Sequence, residues 1–354
     1  MAGGGARDGR RLSGSSPVSL VVIDADVLGR RRTGDETYVL NLLRHLPGAA
    51  AGGLRFAALT RLPDLVPEGV EAVHVPARFQ ELRMAWSVPR VLGRLRPALA
   101  HFQHAVSLRC PCPAVVTIHD LSFERDPSLM PAHDRLIFKT VMPRSARRAA
   151  RVLAVSERTK ADVVELYGIP PEKITMTPHG VDPAFSPGDG DPGEYLLLVG
   201  SVEKRKNTLA AAAAASEIGL PLVVAGPVRD AELARELERR GARLRGYVTQ
   251  DELVELYRGA VCLVMPSRYE GFGLPVLEAM ASGTPVVAAP DPALREVAGE
   301  AAVFIEPERL AEGIRQAMAE RDRLVAAGLE RARRFTWEET ARRTVDAYLE
   351  VLAA

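Results

Sequence analysis

The chain has 354 residues, 47% hydrophobic and 26% charged, and 46 Lys+Arg against 45 Asp+Glu leave a net charge of +1. That length accommodates two domains with a core each, which excludes a mainly disordered chain, and near-neutrality excludes a dedicated nucleic-acid binder. The total conceals an asymmetry: residues 1–188 carry 25 basic and 18 acidic side chains, a surplus of +7, and the remainder carries 21 and 27, a deficit of −6.

Residues 1–16 are rich in Gly, Arg and Ser without an apolar segment, and read as a disordered tail rather than a secretory signal. No apolar run approaches 18 residues, so no membrane span is expected. Cys110, Cys112 and Cys262 are an odd number, which argues against a disulfide framework and for the cytosol. From residue 18, aliphatic runs at 18–23, 56–60, 72–75, 98–102, 114–118 and 152–155 alternate with longer amphipathic stretches, the pattern of an α/β domain with a parallel sheet. Turn-formers crowd 183–192, the best linker in the chain. A second series follows at 195–199, 222–225, 244–247, 262–265, 285–288 and 302–304. Two doubly wound domains, 17–186 and 187–335, are expected to face each other across a cleft. The last segment, 336–354, reads as a helix opened by a Thr336-Trp-Glu-Glu339 capping box. Its apolar stripe of Ala341, Val345, Tyr348, Leu349 and Leu352 needs a surface, and the first domain is one choice.

The chemistry concentrates in 267–285. Gly271 and Gly273 free the backbone for close approach to a ligand, and Pro275 suits the first helical position. Gly283 and Pro285 stop the helix after two turns. Its N-terminus is thus a phosphate site, flanked by Glu270 and Glu278, whose carboxylates suit sugar hydroxyls rather than phosphate. Phosphates in the middle and sugars at both ends describe a nucleotide-sugar. Lysine is scarce, five against 41 arginines, yet Lys204 and Lys206 flank Arg205 in one loop after Gly200, placed to clamp a diphosphate.

These segments resemble the retaining family 4 (group 1) glycosyltransferases, whose GT-B fold sets two Rossmann-like domains face to face. The Glu270-x7-Glu278 element and its surroundings match the family almost residue by residue, and the likeness spans about 18–352. The resemblance implies that Glu270 contacts the donor sugar, that Glu278 holds the ribose, and that the backbone of Gly271, Phe272, Gly273 and Leu274 touches sugar and phosphate. It puts Arg205 and Lys206 on the leaving diphosphate, with Gly200 and Ser201 beside it, although some members carry Arg where this chain has Ser201. It puts the base near Tyr247 and Val248, and His119, at a strand end, near donor sugar and acceptor, with Asp120 its neighbour. The 119–123 context resembles mannosyltransferase members, so GDP-mannose is the first expectation for the donor and a UDP-sugar the second. The family's same-face mechanism needs neither metal nor cofactor.

The first strand-to-helix loop departs from the pattern. Many members of the family have a Gly-rich turn here close to the donor phosphates; Gly34 is retained, which the resemblance places beside the donor, but Glu36 stands where a second Gly is common. Asp35 and Glu36 face acceptor hydroxyls or cap the helix 38–46; both readings stand. Met176-Thr-Pro-His179-Gly180-Val-Asp182 resembles the family's connector and reads as wiring between domains. Asp24-Ala-Asp26 reads as a turn rather than a metal site, Cys110-Pro-Cys112 as a loop, and His101 and His104, three apart, as pointing to opposite faces. The basic stretch Lys139, Arg144, Arg147, Arg148 and Arg151 is a solvated helix face or a peripheral contact with anionic lipid at the inner membrane face. The first-domain surplus favours an anionic or lipid-linked acceptor. An epimerase, or a non-catalytic nucleotide-sugar-binding partner, are the competing readings; a dinucleotide dehydrogenase lacks its G-x-G-x-x-G.

Overall fold

The computed structural model describes residues 18–30, 33–50, 53–76, 79–129, 132–190 and 193–354; the 1–16 tail and residues 191–192 of the linker lie outside them. Strands β1 (Ser19–Asp24), β2 (Leu54–Thr60), β3 (Glu71–His74), β4 (Leu99–Gln103), β5 (Ala114–Ile118), β6 (Arg151–Ala154) and β7 (Ile174–Met176) form one parallel sheet in the order 3-2-1-4-5-6-7. Strands β8 (Leu196–Val199), β9 (Leu222–Ala225), β10 (Arg243–Gly246), β11 (Cys262–Met265), β12 (Val286–Ala288) and β13 (Val303–Phe304) form a second, in the order 10-9-8-11-12-13. This is the expected pair of doubly wound sheets, and in each the strand order reverses beside the first strand, where open α/β sheets gather ligands at their carboxyl ends. Twelve strands lie within two residues of their expected positions. The thirteenth, β7, was not anticipated: it is three residues at a sheet edge, too short for a pattern of its own.

Alternation along β1 divides the first core. Val21 and Ile23 pack against Tyr38, Leu42 and Leu46 of helix Thr33–Ala49. Val22 faces the other side, where Val88, Leu92, Met142 and Ala146 close over Ala100, Phe102 and Val116. Helix Thr33–Ala49 starts five residues before the expected 38–46, so Gly34, Asp35 and Glu36 fall inside its first turn.

Helix Trp337–Ala353 crosses back from the second domain and lays Trp337, Ala341, Val345 and Tyr348 on the core that holds Tyr38 and Leu42. Inside, Tyr348 Oη lies 2.6 Å from His101 Nδ1, and His101 Nε2 lies 2.7 Å from Thr117 Oγ1. Leu349, at the edge of the stripe, is exposed instead. The capping box is half made: Thr336 accepts from Glu339 N–H, while the Glu339 carboxylate takes Arg342 and Arg343, both at 2.7 Å. The two interdomain crossings touch, since a Cβ on Gly180 would lie 2.1 Å from the Trp337 nitrogen. Among the described residues, no helix is long and apolar enough to cross a membrane.

Candidate functional site

The second domain contributes two loops from adjacent strands. After β8 the chain turns at Gly200, whose φ of +145° and close approach to Lys206 leave no room for a side chain: a Cβ would lie 2.9 Å from Lys206 Cε. Ser201 is buried, and a 3-10 turn over Lys204–Lys206 leads through left-handed Asn207 into helix Thr208–Ile218. After β11, the loop ends at Gly273, with φ +109°, which opens helix Leu274–Ala281. Leu274 is its first residue and Pro275 its second, one place later than expected.

These loops converge on Glu270. Its Oε1 accepts from Lys206 Nζ at 2.6 Å and its Oε2 from Arg205 Nη1 at 3.2 Å. Arg205 is braced by the Tyr269 carbonyl at 3.0 Å and by Glu203 at 2.9 Å. The Glu270 amide faces Asp291 Oδ2 at 3.3 Å. Burial alone would raise the Glu270 carboxyl; the charges of Lys206 and Arg205 overcome it and hold the group at about 2. Burial works against the Lys206 charge and pushes that amine below its ordinary value despite Glu270. Glu278 has no such cation. It is buried, accepts from Tyr257 Oη at 2.8 Å, and burial pushes it up to about 7, with Asp182 adding to the rise. The two carboxylates of one motif are therefore in opposite electrostatic states.

Tyr247, half-exposed, and Val248, packed on the second core, follow β10 at the same carboxyl edge. The partners Glu203, Tyr257, Tyr269 and Asp291 were not singled out from sequence. Tyr269 and Glu203 adjoin the motifs and were legible by position; Tyr257 and Asp291 come from other elements and carry no local signal.

The first domain supplies the opposite wall. His119, at the end of β5, is buried and its Nε2 lies 3.0 Å from Gln103 Oε1. Burial drops its pKa to about 4, so the ring is neutral near pH 7. Tyr38 meets it edge-on with centroids 4.7 Å apart, and the His104 and His179 rings lie at 5.0 and 5.6 Å. His179, in the segment read as wiring between domains, is stacked between Tyr38 at 5.0 Å and Trp337 at 5.6 Å, with Phe272 at 4.8 Å. Neither of its ring nitrogens has a hydrogen-bond partner, nor has Gln103 Nε2.

Gly271 is where the walls meet. A Cβ there would lie 1.9 Å from the His119 carbonyl oxygen. The Gly271 carbonyl accepts from Ser156 Oγ at 2.5 Å and Thr159 Oγ1 at 3.2 Å. Tyr269 Oη donates to Asp162 at 2.6 Å and accepts from the Leu121 amide at 3.2 Å, and Arg158 covers its ring at 4.6 Å.

The acidic candidates divide. Glu36 turns back to accept from the Gly29 amide at 2.7 Å, tying the loop to the helix it opens. Asp35 Oδ2 instead lies 3.4 Å from His104 Nε2, and Asp35, His104 and His119 offer ligand atoms within 4.8 Å of one another. Asp120 accepts from Ser122 N and Oγ at 3.1 and 3.0 Å. Gly34, with nothing near its Cβ position, stands open in the same turn. Asp24 and Asp26 are taken by arginines: Arg83 reaches Asp24 at 2.5 Å, and Arg61 reaches Asp26 at 2.7 Å. His101 and His104 do part, His101 to Tyr348 and Thr117, His104 to Asp35 and His119.

Comparison with known proteins matches residues 32–185 to the model of Glycosyltransferase Family 4 and residues 193–320 to that of Glycosyl transferases group 1. O-antigen chain mannosyltransferase B of Escherichia coli is 30% identical over 66% of this chain and 70% of its own. D-inositol 3-phosphate glycosyltransferase 1 of Catenulispora acidiphila is 30% identical over 82% of this chain and 84% of its own. Among solved structures, sucrose-phosphate synthase from Thermosynechococcus elongatus superposes with a TM-score of 0.76 at 20% identity, covering 94% of this chain and 99% of that one. The GT-B architecture, the two matched halves and these relatives agree: the chain belongs to the family 4 glycosyltransferases.

Proposed function

We propose that the chain transfers a hexosyl group, mannose from GDP-mannose in the first instance and a sugar from a UDP donor in the second, to an acceptor hydroxyl with retention of anomeric configuration. The single observation that carries the reading is the triad of Glu270, Lys206 and Arg205 beside the open N-terminus of helix Leu274–Ala281, with Glu278 one turn further on. The mannosyl preference is supported by the Escherichia coli relative, a mannosyltransferase by name.

In the reaction the bond from the anomeric carbon to the phosphate oxygen breaks, leaving positive charge on the sugar and negative charge on the diphosphate. Lys206, Arg205 and the helix amides stabilise that leaving charge in a dry site, where fixed donors are most effective, so no metal is required on charge grounds. Glu270 holds both cations in place and presents its carboxylate to the sugar hydroxyls. The acceptor oxygen attacks the same face, and its proton passes to the departing phosphate oxygen. Burial keeps His119 neutral, so it offers a hydrogen bond without competing for that proton.

A thermal-shift screen of GDP-, UDP-, ADP- and TDP-sugars tests the donor, because a ligand that binds only the folded state raises apparent stability by mass action. GDP-mannose is expected to give the largest shift; a larger shift with another base replaces it. NMR of the product gives the anomeric configuration, and inversion overturns retention. Incubating donor alone and finding an isomer would make the protein an epimerase; binding without turnover across an acceptor panel would make it a non-catalytic partner.

A further inference from the structure

Among the described residues, part of the first half's basic surplus lies away from the cleft. Residues 79–109 hold four exposed arginines, Arg90, Arg94, Arg96 and Arg109, against exposed Glu81, while Arg83 is buried and paired with Asp24; residues 132–148 hold five basic residues against Asp134. Both stretches lie on one side of the first sheet. Val88 and Leu92 from the first, and Met142 and Ala146 from the second, share a single core beneath them. Helical segment 80–95 leads into β4 and helix Ala132–Arg148 into β6. β4 and β6 are parallel, so both segments run the same way, from the carboxyl edge of the sheet to its amino edge.

Their outward faces share an order. Along the first, Phe79, Leu82 and Trp86 are exposed, followed by exposed Arg90 and Arg94. Along the second, Leu136, Ile137 and Val141 are exposed, followed by exposed Arg144, Arg147 and Arg148. The loop after β4 runs between them, its Leu108 amide bonded to the Met84 carbonyl at 3.4 Å and its Val106 amide to Ser145 Oγ at 3.0 Å. It carries exposed Leu108 and then exposed Arg109. Trp86, Leu108 and Leu136 are 64, 67 and 71% exposed. Single exposed apolar residues are ordinary, but of the fourteen large ones exposed among the described residues, seven fall between 79 and 141. Each strip is mainly apolar toward the cleft edge, interrupted by exposed Glu81 in the first and by Lys139, paired with Glu124, in the second, and is cationic behind it.

We propose that this face docks on an anionic phospholipid bilayer, with Trp86, Leu108 and Leu136 entering the interface and the arginines behind them contacting headgroup phosphates. Apolar insertion and cationic attraction together give reversible peripheral binding, and neither suffices alone. A second copy of the chain fits poorly, because a two-fold interface would press one basic band on another. The geometry also brings the carboxyl edge of the first sheet, and with it the mouth of the cleft, close to the bilayer. The surface stands independently of which donor or acceptor the enzyme uses.

Vesicle co-sedimentation of the full chain tests it, with phosphatidylcholine alone against phosphatidylcholine mixed with phosphatidylglycerol. Binding is expected to the anionic vesicles and to weaken with salt. The double variant Arg144→Glu, Arg148→Glu is expected to lower the partition coefficient by roughly tenfold or more, from about fivefold per basic residue removed near a charged surface. Two tryptophans make the insertion readable, since Trp337 is 1% exposed and Trp86 is not. Brominated lipid should quench Trp86, and Trp86→Phe should abolish the quenching, with circular dichroism showing both variants folded. Equal binding to neutral vesicles, no binding at low salt, or binding without Trp86 quenching would each overturn the proposal.

Discussion

The two walls of the cleft differ in how they satisfy their polar groups. On the second domain, Glu270, Lys206, Arg205 and Glu203 form a closed ion-paired chain with bonds of 2.6 to 3.2 Å. On the first, His119 and His179 are neutral because they are buried, and both nitrogens of His179 and Nε2 of Gln103 lack partners. A wall of fixed, opposed charges suits a ligand that changes charge during reaction. A wall of neutral imidazoles suits hydroxyls that do not. The contrast also bears on the first-domain surplus: among the described residues, exposed basic side chains cluster on the outer face over helix Ala132–Arg148 and segment 80–95 rather than at His119 and Asp120.

The most severe test removes the charge at the centre of the second wall. Glu270→Gln keeps the shape and leaves Lys206 and Arg205 without their shared counter-ion; turnover is expected to fall by roughly 10² to 10³, the range for losing one preorganised electrostatic contact. Glutamine is the sharper choice than alanine, which would add a cavity between buried Lys206 and partly buried Arg205. Steady-state kinetics with the donor found in the thermal-shift screen provides the measure. Near-normal kcat would remove the charged wall from the mechanism.

Gly271→Ala probes the seam. The added methyl would sit 1.9 Å from the His119 carbonyl oxygen, and a backbone atom cannot yield as a flexible side chain does. The walls must separate, so kcat is expected to fall by roughly tenfold to a hundredfold, the scale of an ångström-level misplacement. Nucleotide affinity, which the proposed function assigns to the second wall, should change little. Equal loss of both would show that the seam supports the second wall itself.

How much of this was legible follows the distance between partners in the chain. Both sheets were readable because each buried strand is a compact aliphatic run, and β7 was not because three residues make no pattern. The second wall was readable because Glu270 and Glu278 sit in one contiguous motif and Arg205 and Lys206 in another. Their electrostatic difference was not, since it comes from the burial of Glu278 without a cation beside it, with Asp182 adding to the rise against the Tyr257 hydrogen bond, and none of these has a local signature. Asp35 and Glu36, adjacent in sequence, point to His104 and to Gly29, a separation that only helical geometry decides.

That electrostatic difference has a pH signature. Glu278 ionises near 7 when folded and at about 4.5 when unfolded. Its contribution to stability is therefore complete below about 4.5 and is lost as pH rises through about 7. Glu278→Gln should flatten the decline in Tm across that window. If ribose hydroxyls donate to the ionised carboxylate, binding expels its proton, and nucleotide affinity should rise severalfold from pH 6 to pH 8, roughly tenfold per pH unit at most below the pKa. Calorimetric titration across that range decides it, and an affinity independent of pH would separate Glu278 from the ribose.

The smallest effect belongs to the neutral wall. His179 is buried in an aromatic stack with two unpartnered nitrogens, and burial holds its pKa well below 6.5. Below about 6.5 the unfolded ring takes a proton that the folded ring refuses, so this ring's contribution to wild-type stability should decline as pH falls. His179→Phe keeps a planar ring between Tyr38 and Trp337 and removes the unpaired polar atoms, which is expected to stabilise by about 1 kcal/mol at neutral pH. The advantage should widen as pH falls below 6.5. Thermal unfolding at pH 5.5 and pH 7.5 checks both expectations in one comparison, values chosen to bracket the ordinary histidine pKa of about 6.5. A destabilised variant would mean that something polar, a water or the acceptor's neighbour, satisfies the ring in solution, and that the first wall is as fully bonded as the second.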